Sequence, residues 1–190
     1  MKRFEQKSLD SLTCTGVFQE ITRRQVQALM FHDRMHDLYG FLNLPGFKSW
    51  HKHQYLSESE EFLNVKHYFM STHNKLLNTD DPGQPEMAIP DTWYKYTRLD
   101  ISPQIIKQYT ELSFEEYKTW EEDTKKIYEG CSKSLHNMGQ IGDAQEVNRL
   151  IQDVTEELND LYEVMIELKS TNYDVIHIFD MQQKLQKKYK

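Results

Sequence analysis

Residues 78–102 read NTDDPGQPEMAIPDTWYKYTRLDIS, and their aspartates, prolines and glycine predict a long connection between two helices. Glycine and proline are scarce on both sides of this stretch, which leaves long segments that can be helical throughout. A bundle of about 25-residue helices is about 40 Å long, because a helix rises ~1.5 Å per residue. Only a connection of this length can cross such a bundle from end to end, so we expect the helices on its two sides to run parallel.

The remaining glycines and prolines divide the chain into four long predicted helices and a short fifth. The predicted bounds are about Val17 to Leu42, Phe47 to Leu77, Pro103 to Met138, Asp143 to Lys169 and Tyr173 to Lys188. Ser102-Pro103 and Ser113 are alternative start signals for the third helix, and Asp143 with Glu146 matches a capping box at the fourth. We therefore expect one all-α domain over residues 17–190, preceded by an N-terminal extension over residues 1–16.

The composition excludes several classes of protein. The chain has 190 residues, and its 23 Lys and Arg against 30 Asp and Glu give a net charge of −7, which argues against nucleic acid as a partner. No window approaches the ~18 consecutive apolar residues of a membrane span, and the N-terminus has no apolar signal segment, so we expect no membrane contact and a cytoplasmic protein. Cys14 and Cys131 have no zinc-type spacing, which predicts reduced thiols and no thiolate metal site.

Several short stretches match, in chain order, the helices of one known family. They are RQVQALMFHDRM at 24–35, GFKSW at 46–50, SESEE at 57–61, residues 117–129, residues 154–168 and VIHIFD at 175–180. With the long crossover, these stretches make the chain resemble a distant bacterial non-haem ferritin. The resemblance implies a ferritin-like four-helix bundle with a crossover between helices two and three and a short C-terminal fifth helix.

The resemblance also implies where a di-iron site would lie. Such a site needs carboxylates and one or two imidazoles that project inward from all four helices. The first-helix glutamate of the family falls on Gln25, and its Glu-x-x-His motif falls near Glu58 and Glu61. The apolar period of the second helix favours Glu58-x-x-Glu61 facing inward, whereas the rival register, Glu61-x-x-Asn64, places Asn64 on a polar face.

On the third and fourth helices, the inward apolar positions carry no oxygen ligand. The expected glutamate of the third falls on Trp120, with Glu121 one residue off, and the expected carboxylates of the fourth fall on Val154 and Leu158. A shift to Glu156-x-x-Asn159 would bury charges and expose leucines. The pattern therefore predicts that most di-iron ligands are lost, with at most one loosely held divalent ion per chain and no rapid ferroxidase turnover.

The candidate metal ligands are Gln25, His32, Glu58 and Glu61. His32 and His36 have the i,i+4 spacing of two imidazoles on one metal, but no HExxH motif accompanies them, and His32 as a satisfied core histidine is the alternative. Four further histidines are scattered over two faces of the second helix and are interpreted as surface residues: His51, His53, His67 and His73.

Two functions follow from these patterns. The first is a non-enzymatic ferritin-like scaffold or partner-binding protein, which acts as a homo-oligomer or with another protein. The second is a ferritin-like protein that binds or stores iron or another divalent metal at an atypical site. Val154 and Leu158 facing inward favour the scaffold, whereas Glu156 facing inward favours metal binding.

Overall fold

Five α-helices make up the part of the chain that the computed structural model describes, residues 12–78, 97 and 100–189. They are α1 (Cys14–Phe41), α2 (Pro45–His73), α3 (Pro103–Asn137), α4 (Ile141–Ser170) and α5 (Val175–Lys188). No strand occurs among these described residues. The all-α prediction is confirmed, with most helix ends within a few residues of their predicted places. Residues 1–11 of the predicted N-terminal extension lie outside the described residues.

Local sequence determines where the helices begin. Thr13 accepts a hydrogen bond from the Gly16 N–H at the start of α1, and Ser102 accepts one from the Ile105 N–H at the start of α3. Ser102-Pro103 is therefore the start signal of α3, whereas Ser113 lies buried inside that helix. The capping box predicted at Asp143 is wrong, because α4 begins two residues earlier at Ile141 and the Asp143 side chain is buried.

The packing contacts give the helix directions. Phe47 and Trp50 near the start of α2 contact Phe114 and Tyr117 of α3, with ring centroids 5.5 and 5.8 Å apart. Contacts that advance together along both helices mean that α2 and α3 run parallel, as predicted. Residues 74–102 join them, and most of this crossover lies outside the described residues. The three-residue connections 42–44 and 138–140 make α1 and α2, and α3 and α4, antiparallel neighbours.

Helix α5 closes one end of the bundle against the start of α2. A Cβ added at Gly46 would lie 1.7 Å from the Gln182 carbonyl oxygen, so only glycine fits this close approach. The Gly46 N–H also donates a hydrogen bond of 3.1 Å to the Gln182 side-chain oxygen. The buried side chains of α5 are Ile178, Met181, Gln182 and Leu185, whereas Ile176 of the same helix is 70% exposed.

The core extends along the whole bundle. Val154, Leu158 and Trp120 are all buried, as the apolar period predicted, and Glu156 is exposed. No helix in the described part of the chain combines the length and the apolar character needed to cross a membrane.

Candidate functional site

Polar side chains lie in the centre of this bundle, where an ordinary core would be apolar. Gln25 and His32 of α1 are fully buried, and Glu58 of α2 is 5% exposed. Glu61, one turn further along α2, is half-buried. The four candidate ligands therefore lie on inward faces, and Asn64 of the rival register is exposed.

The structure corrects the prediction that α3 and α4 bring no carboxylate to this centre. Glu121 is fully buried beside Trp120, and Glu157 is half-buried beside Leu158. Helix α3 packs against α1, α4 and α5, so its buried arc is wide enough for two consecutive residues, which are about 100° apart around a helix. The predicted inward stripe was only one residue wide, so the prediction missed both glutamates.

Burial and mutual repulsion perturb these carboxyl groups. Burial, followed by the charges of Glu157, Glu61 and Glu121, holds the pKa of Glu58 well above its ordinary value. Burial and the neighbouring Glu157 likewise hold the pKa of Glu121 far above normal. Burial and a hydrogen bond with Asp153 raise the pKa of Glu61 to about 8, and burial beside Asp153 raises that of Glu157 to about 7. The folded protein thus favours protons or another cation at these oxygens.

Arg24 is the buried cation nearest to this cluster. Its guanidinium lies 3.3 Å from the centroid of the Trp120 ring and donates to the Trp120 carbonyl and the Thr124 hydroxyl, both at 2.8 Å. Burial lowers the pKa of Arg24 to about 10, and the charge of Glu121 acts in the opposite direction. One buried positive charge therefore faces several carboxylates, and Arg149 adds a second, partly exposed charge beside Glu61.

A pair of buried histidines flanks the carboxylates. The Nδ1 atoms of His32 and His51 are 3.0 Å apart, so one ring donates a proton to the other. The surface interpretation of His51 is wrong, because this residue is 2% exposed, whereas His53 and His67 are exposed as predicted. Burial lowers the pKa of His32 to about 3 and, together with His32, holds that of His51 well below normal. Both rings are therefore neutral.

Several polar atoms of this centre have no hydrogen-bond partner among the described residues. They are both amide atoms of Gln25, Nε2 of His32, Oε2 of Glu58, both carboxyl oxygens of Glu121 and Oε2 of Glu157. The His32 Nε2 lies 3.9 Å from Glu121 Oε1, which is too long for a hydrogen bond. Each unpaired buried atom costs about 1–3 kcal/mol, so the folded protein is stabilised by any proton or ligand that pairs with these atoms.

A second polar cluster lies at one end of the bundle and joins Cys14, His73 and Asp143. The Cys14 thiol donates to Asp143 Oδ2 at 3.4 Å, and His73 Nε2 lies 3.1 Å from Asp143 Oδ1. Within the described part of the chain, this is the one group of three or more His, Cys, Asp or Glu side chains whose ligand atoms all lie within 4.8 Å of one another. The sequence predicted no thiolate metal site and a surface position for His73. Both predictions missed this cluster.

No protein-family model matches the chain, and no curated protein matches it. The architecture is nevertheless shared with solved structures, and the fold is ferritin-like. An engineered closed form of the Archaeoglobus fulgidus ferritin aligns with a TM-score of 0.73 at 12% identity, over 93% of this chain and 97% of that one. The open-pore ferritin from the same hyperthermophilic archaeon gives a TM-score of 0.67 at 14% identity, over 89% and 95% of the two chains. The resemblance to ferritins is thus confirmed at the level of the fold.

Proposed function

We propose that this protein binds a divalent metal ion, of the class of Fe²⁺ or Mn²⁺, in the centre of the bundle. The observation that carries the proposal is the set of unpaired oxygens on Glu58, Glu121 and Glu157, which lies with His32 Nε2 in the interior. Glu61 and Gln25 add further oxygens beside them. The sequence left two functions open, and this proposal is the metal-binding one. It rests on the carboxylates of Glu121 and Glu157 rather than on that of Glu156.

The charge balance supports a cation at this position. Arg24 acts on Glu58 and Glu121, and the partly exposed Arg149 acts on Glu61, but the carboxylates outnumber these cations in an interior that strongly disfavours unpaired charge. At low pH, protons neutralise the carboxylates. Near neutral pH, where the pKa values of Glu157 and Glu61 lie, a divalent ion replaces these protons. The cluster therefore favours the metal ion most strongly at neutral and alkaline pH.

The donor set indicates the class of ion. Carboxylate oxygens with one imidazole suit hard and borderline divalent ions such as Mn²⁺ and Fe²⁺ better than soft ions. A bound iron would supply Lewis acidity and a redox-active centre at this position. Among the described residues, no three central His, Asp or Glu side chains bring ligand atoms within 4.8 Å of one another, so binding requires side-chain adjustment and is expected to be weak.

The second candidate is the scaffold without a metal, which is favoured by the inward positions of Val154 and Leu158 and by Arg24. Its guanidinium is fixed by Trp120 and Thr124 and supplies a permanent positive charge beside Glu121. In that case the charge of Arg24 and protons on the remaining carboxyl groups neutralise the carboxylates of the interior. The two functions differ in whether an added ion binds at the centre.

The test is calorimetric titration of the chelator-treated full chain with Mn²⁺, and with Fe²⁺ under anaerobic conditions. Glu58→Gln removes a buried carboxylate, and Glu60→Gln is its matched control on the exposed face of the same helix. We expect Glu58→Gln to weaken binding by about tenfold or more and Glu60→Gln to leave it unchanged. Absence of binding, or equal affinity in the two variants, would exclude the central site and leave the scaffold.

We also infer that the chain self-associates through an apolar stripe on the outer face of α2. Leu56, Leu63 and Met70 are 56, 61 and 44% exposed and recur every seven residues, so they share one face. Light scattering of the full chain gives the oligomeric state. Leu63→Lys should dissociate the assembly, and Asn64→Lys, at the neighbouring exposed position, should not; a wild-type chain that is monomeric would contradict the inference.

A further inference from the structure

The polar cluster at one end of the bundle is formed by residues near the termini of three helices. Cys14 is the first residue of α1, His73 is the last residue of α2, and Asp143 lies in the first turn of α4. These residues are 59, 70 and 129 positions apart in pairs along the chain, so tertiary packing alone makes them neighbours. None of them belongs to the central carboxylate cluster.

The separations among their donor atoms are close to those of ligands on a tetrahedral zinc ion. Sulfur to nitrogen is 3.9 Å, sulfur to Asp143 Oδ2 is 3.4 Å, and nitrogen to Asp143 Oδ1 is 3.1 Å, so the two oxygen contacts are to different atoms of one carboxylate. Zinc bonds of ~2.3 Å to sulfur and ~2.0 Å to nitrogen and oxygen, at tetrahedral angles, give separations of about 3.6, 3.5 and 3.3 Å. One ligand atom from each of the three side chains lies within 4.8 Å of the other two, so a small rotation of the carboxylate would bring all three to one ion.

Neighbouring side chains hold two of the three ligands in place. The Tyr68 hydroxyl donates a hydrogen bond of 3.0 Å to Asp143 Oδ1, which fixes the carboxylate. The His73 ring stacks on Phe69 with centroids 4.6 Å apart, and its Nε2 faces the cluster. Such supporting contacts orient the ligands of metal sites and are part of what sets their affinity.

The electrostatics of the cluster also favour a cation. Cys14 and Asp143 both lie at helix N-termini, where the helix dipole stabilises a thiolate and a carboxylate. In the metal-free protein the Cys14 thiol donates a hydrogen bond to Asp143 Oδ2. A divalent ion between the two groups would replace this proton, because a coordinated thiol is deprotonated.

We propose that Cys14 Sγ, His73 Nε2 and the Asp143 carboxylate bind one Zn²⁺ ion at this end of the bundle. The sulfur ligand selects a borderline or soft ion over Mg²⁺ and Ca²⁺. Binding forms a zinc–thiolate bond and releases the thiol proton of Cys14 to solvent. The fourth position is left for water, since the His73 side chain is 24% exposed at the edge of the cluster. The ion links the ends of α1, α2 and α4.

Co²⁺ alone, added to the chelator-treated full chain, tests the site through a property that only a thiolate ligand supplies. Bound Co²⁺ with a thiolate ligand shows a sulfur-to-cobalt charge-transfer absorption in the near ultraviolet. We expect this band to appear, to saturate, and to disappear when Zn²⁺ is added. Absence of the band at saturating Co²⁺ overturns the proposal.

The two cysteines of the chain allow the band to be assigned. We expect Cys131→Ser to keep the band and Cys14→Ser to lose it while the far-ultraviolet circular dichroism stays helical. If Cys14→Ser does not fold, the Cys131→Ser variant still decides, since its only thiol is Cys14. Loss of the band in Cys131→Ser, or its persistence in Cys14→Ser, overturns the proposal.

Two further variants separate the ligands from the rest of the bundle. His73→Gln should weaken Co²⁺ binding by about tenfold or more, whereas His67→Gln, at an exposed position of the same helix, should not change it. Glu58→Gln, which tests the central site, should leave the band unchanged. A band that responds to Glu58→Gln and not to His73→Gln would contradict the assignment to this end of the bundle.

Discussion

The two polar clusters of this bundle are built in opposite ways. The central cluster takes Glu58, Glu121 and Glu157 from the middle of three helices, and many of its buried atoms have no partner. At the end cluster, Cys14 and His73 both contact Asp143, whose carboxylate also accepts a hydrogen bond from Tyr68. The central cluster thus costs free energy unless a ligand binds. The side chains of the end cluster already have hydrogen-bond partners and lie close enough together to bind a ligand. Removal of a polar side chain from the metal-free protein should therefore be stabilising at the centre and destabilising at the end.

The largest expected effect comes from placing a further charge beside the central cluster. Leu158 is 5% exposed and adjacent to Glu157, so Leu158→Asp removes apolar burial and adds an unpaired carboxylate. We expect the free energy of unfolding to fall by about 3–5 kcal/mol in chemical denaturation. Ile166→Asp, at a position of α4 that is 69% exposed, is the control and should change stability little. Equal stability of the two variants would mean that Leu158 is not part of the core.

The pH dependence of the metal-free protein should reveal the central cluster. Burial raises the pKa of Glu61 from 4.5 to about 8 and that of Glu157 from 4.5 to about 7, so between these values the folded state holds protons that the unfolded state has released. Their stabilisation is therefore complete below about pH 4.5 and is lost progressively as the pH rises to about 8. Denaturation of chelator-treated protein across this range measures the loss, and saturating Mn²⁺ should reduce it. A flat metal-free profile would contradict the raised pKa values.

Removing one central carboxylate should stabilise the metal-free protein. Glu58 lies among Glu157, Glu61 and Glu121, so Glu58→Gln relieves repulsion at the cost of one amide that needs partners. We expect a gain of about 1–2 kcal/mol in the free energy of unfolding at pH 8 and a smaller gain near pH 5. Glu60→Gln is the matched control, and both are measured by urea denaturation after chelation. Destabilisation by Glu58→Gln at both pH values would show that the carboxylates are not in conflict.

Mutation of the end cluster should change stability least. It should destabilise the metal-free protein, whereas Glu58→Gln at the centre should stabilise it. In metal-free protein, His73→Ala removes the contact with Asp143 Oδ1 and the stacking on Phe69. We expect a loss of about 1 kcal/mol in the free energy of unfolding, against no change for His67→Ala. Excess Zn²⁺ should raise the thermal midpoint of the wild type more than that of His73→Ala. An equal rise in both would mean that zinc acts elsewhere.

Much of the fold could be predicted from the sequence, because glycine, proline and apolar period report local backbone preferences. The clusters of Gly and Pro near residues 40–46 and 139–142 separate the helices, and the length of residues 78–102 predicted the parallel direction of α2 and α3. The central site was predicted only in part. Gln25, His32 and Glu58 follow the apolar stripe, but Glu121 and Glu157 lie beside it, and other helices bury Glu121 fully and Glu157 in part.

The end cluster could not be predicted from spacing in the sequence. The three residues lie on three helices, and Asp143 also fits a helix cap, which is a local explanation that hides a tertiary contact. His51 was missed for a related reason, since four histidines on one helix show no single face. The signal for His51 was its position three residues before Gln54 and seven before Glu58, both of which are buried.

The close approach of Gly46 and Gln182 has a consequence for how the chain folds. This contact joins residues 136 positions apart, whereas α1 with α2 and α3 with α4 form hairpins from neighbouring segments. Chain-closure entropy favours the local hairpins first, and a ribosome releases the N-terminal pair well before α5 exists. Helix α5 therefore docks last, and until it does, the start of α2 lacks its cover. Hydrogen exchange during refolding should protect the amides of α1 and α2 before those of α5.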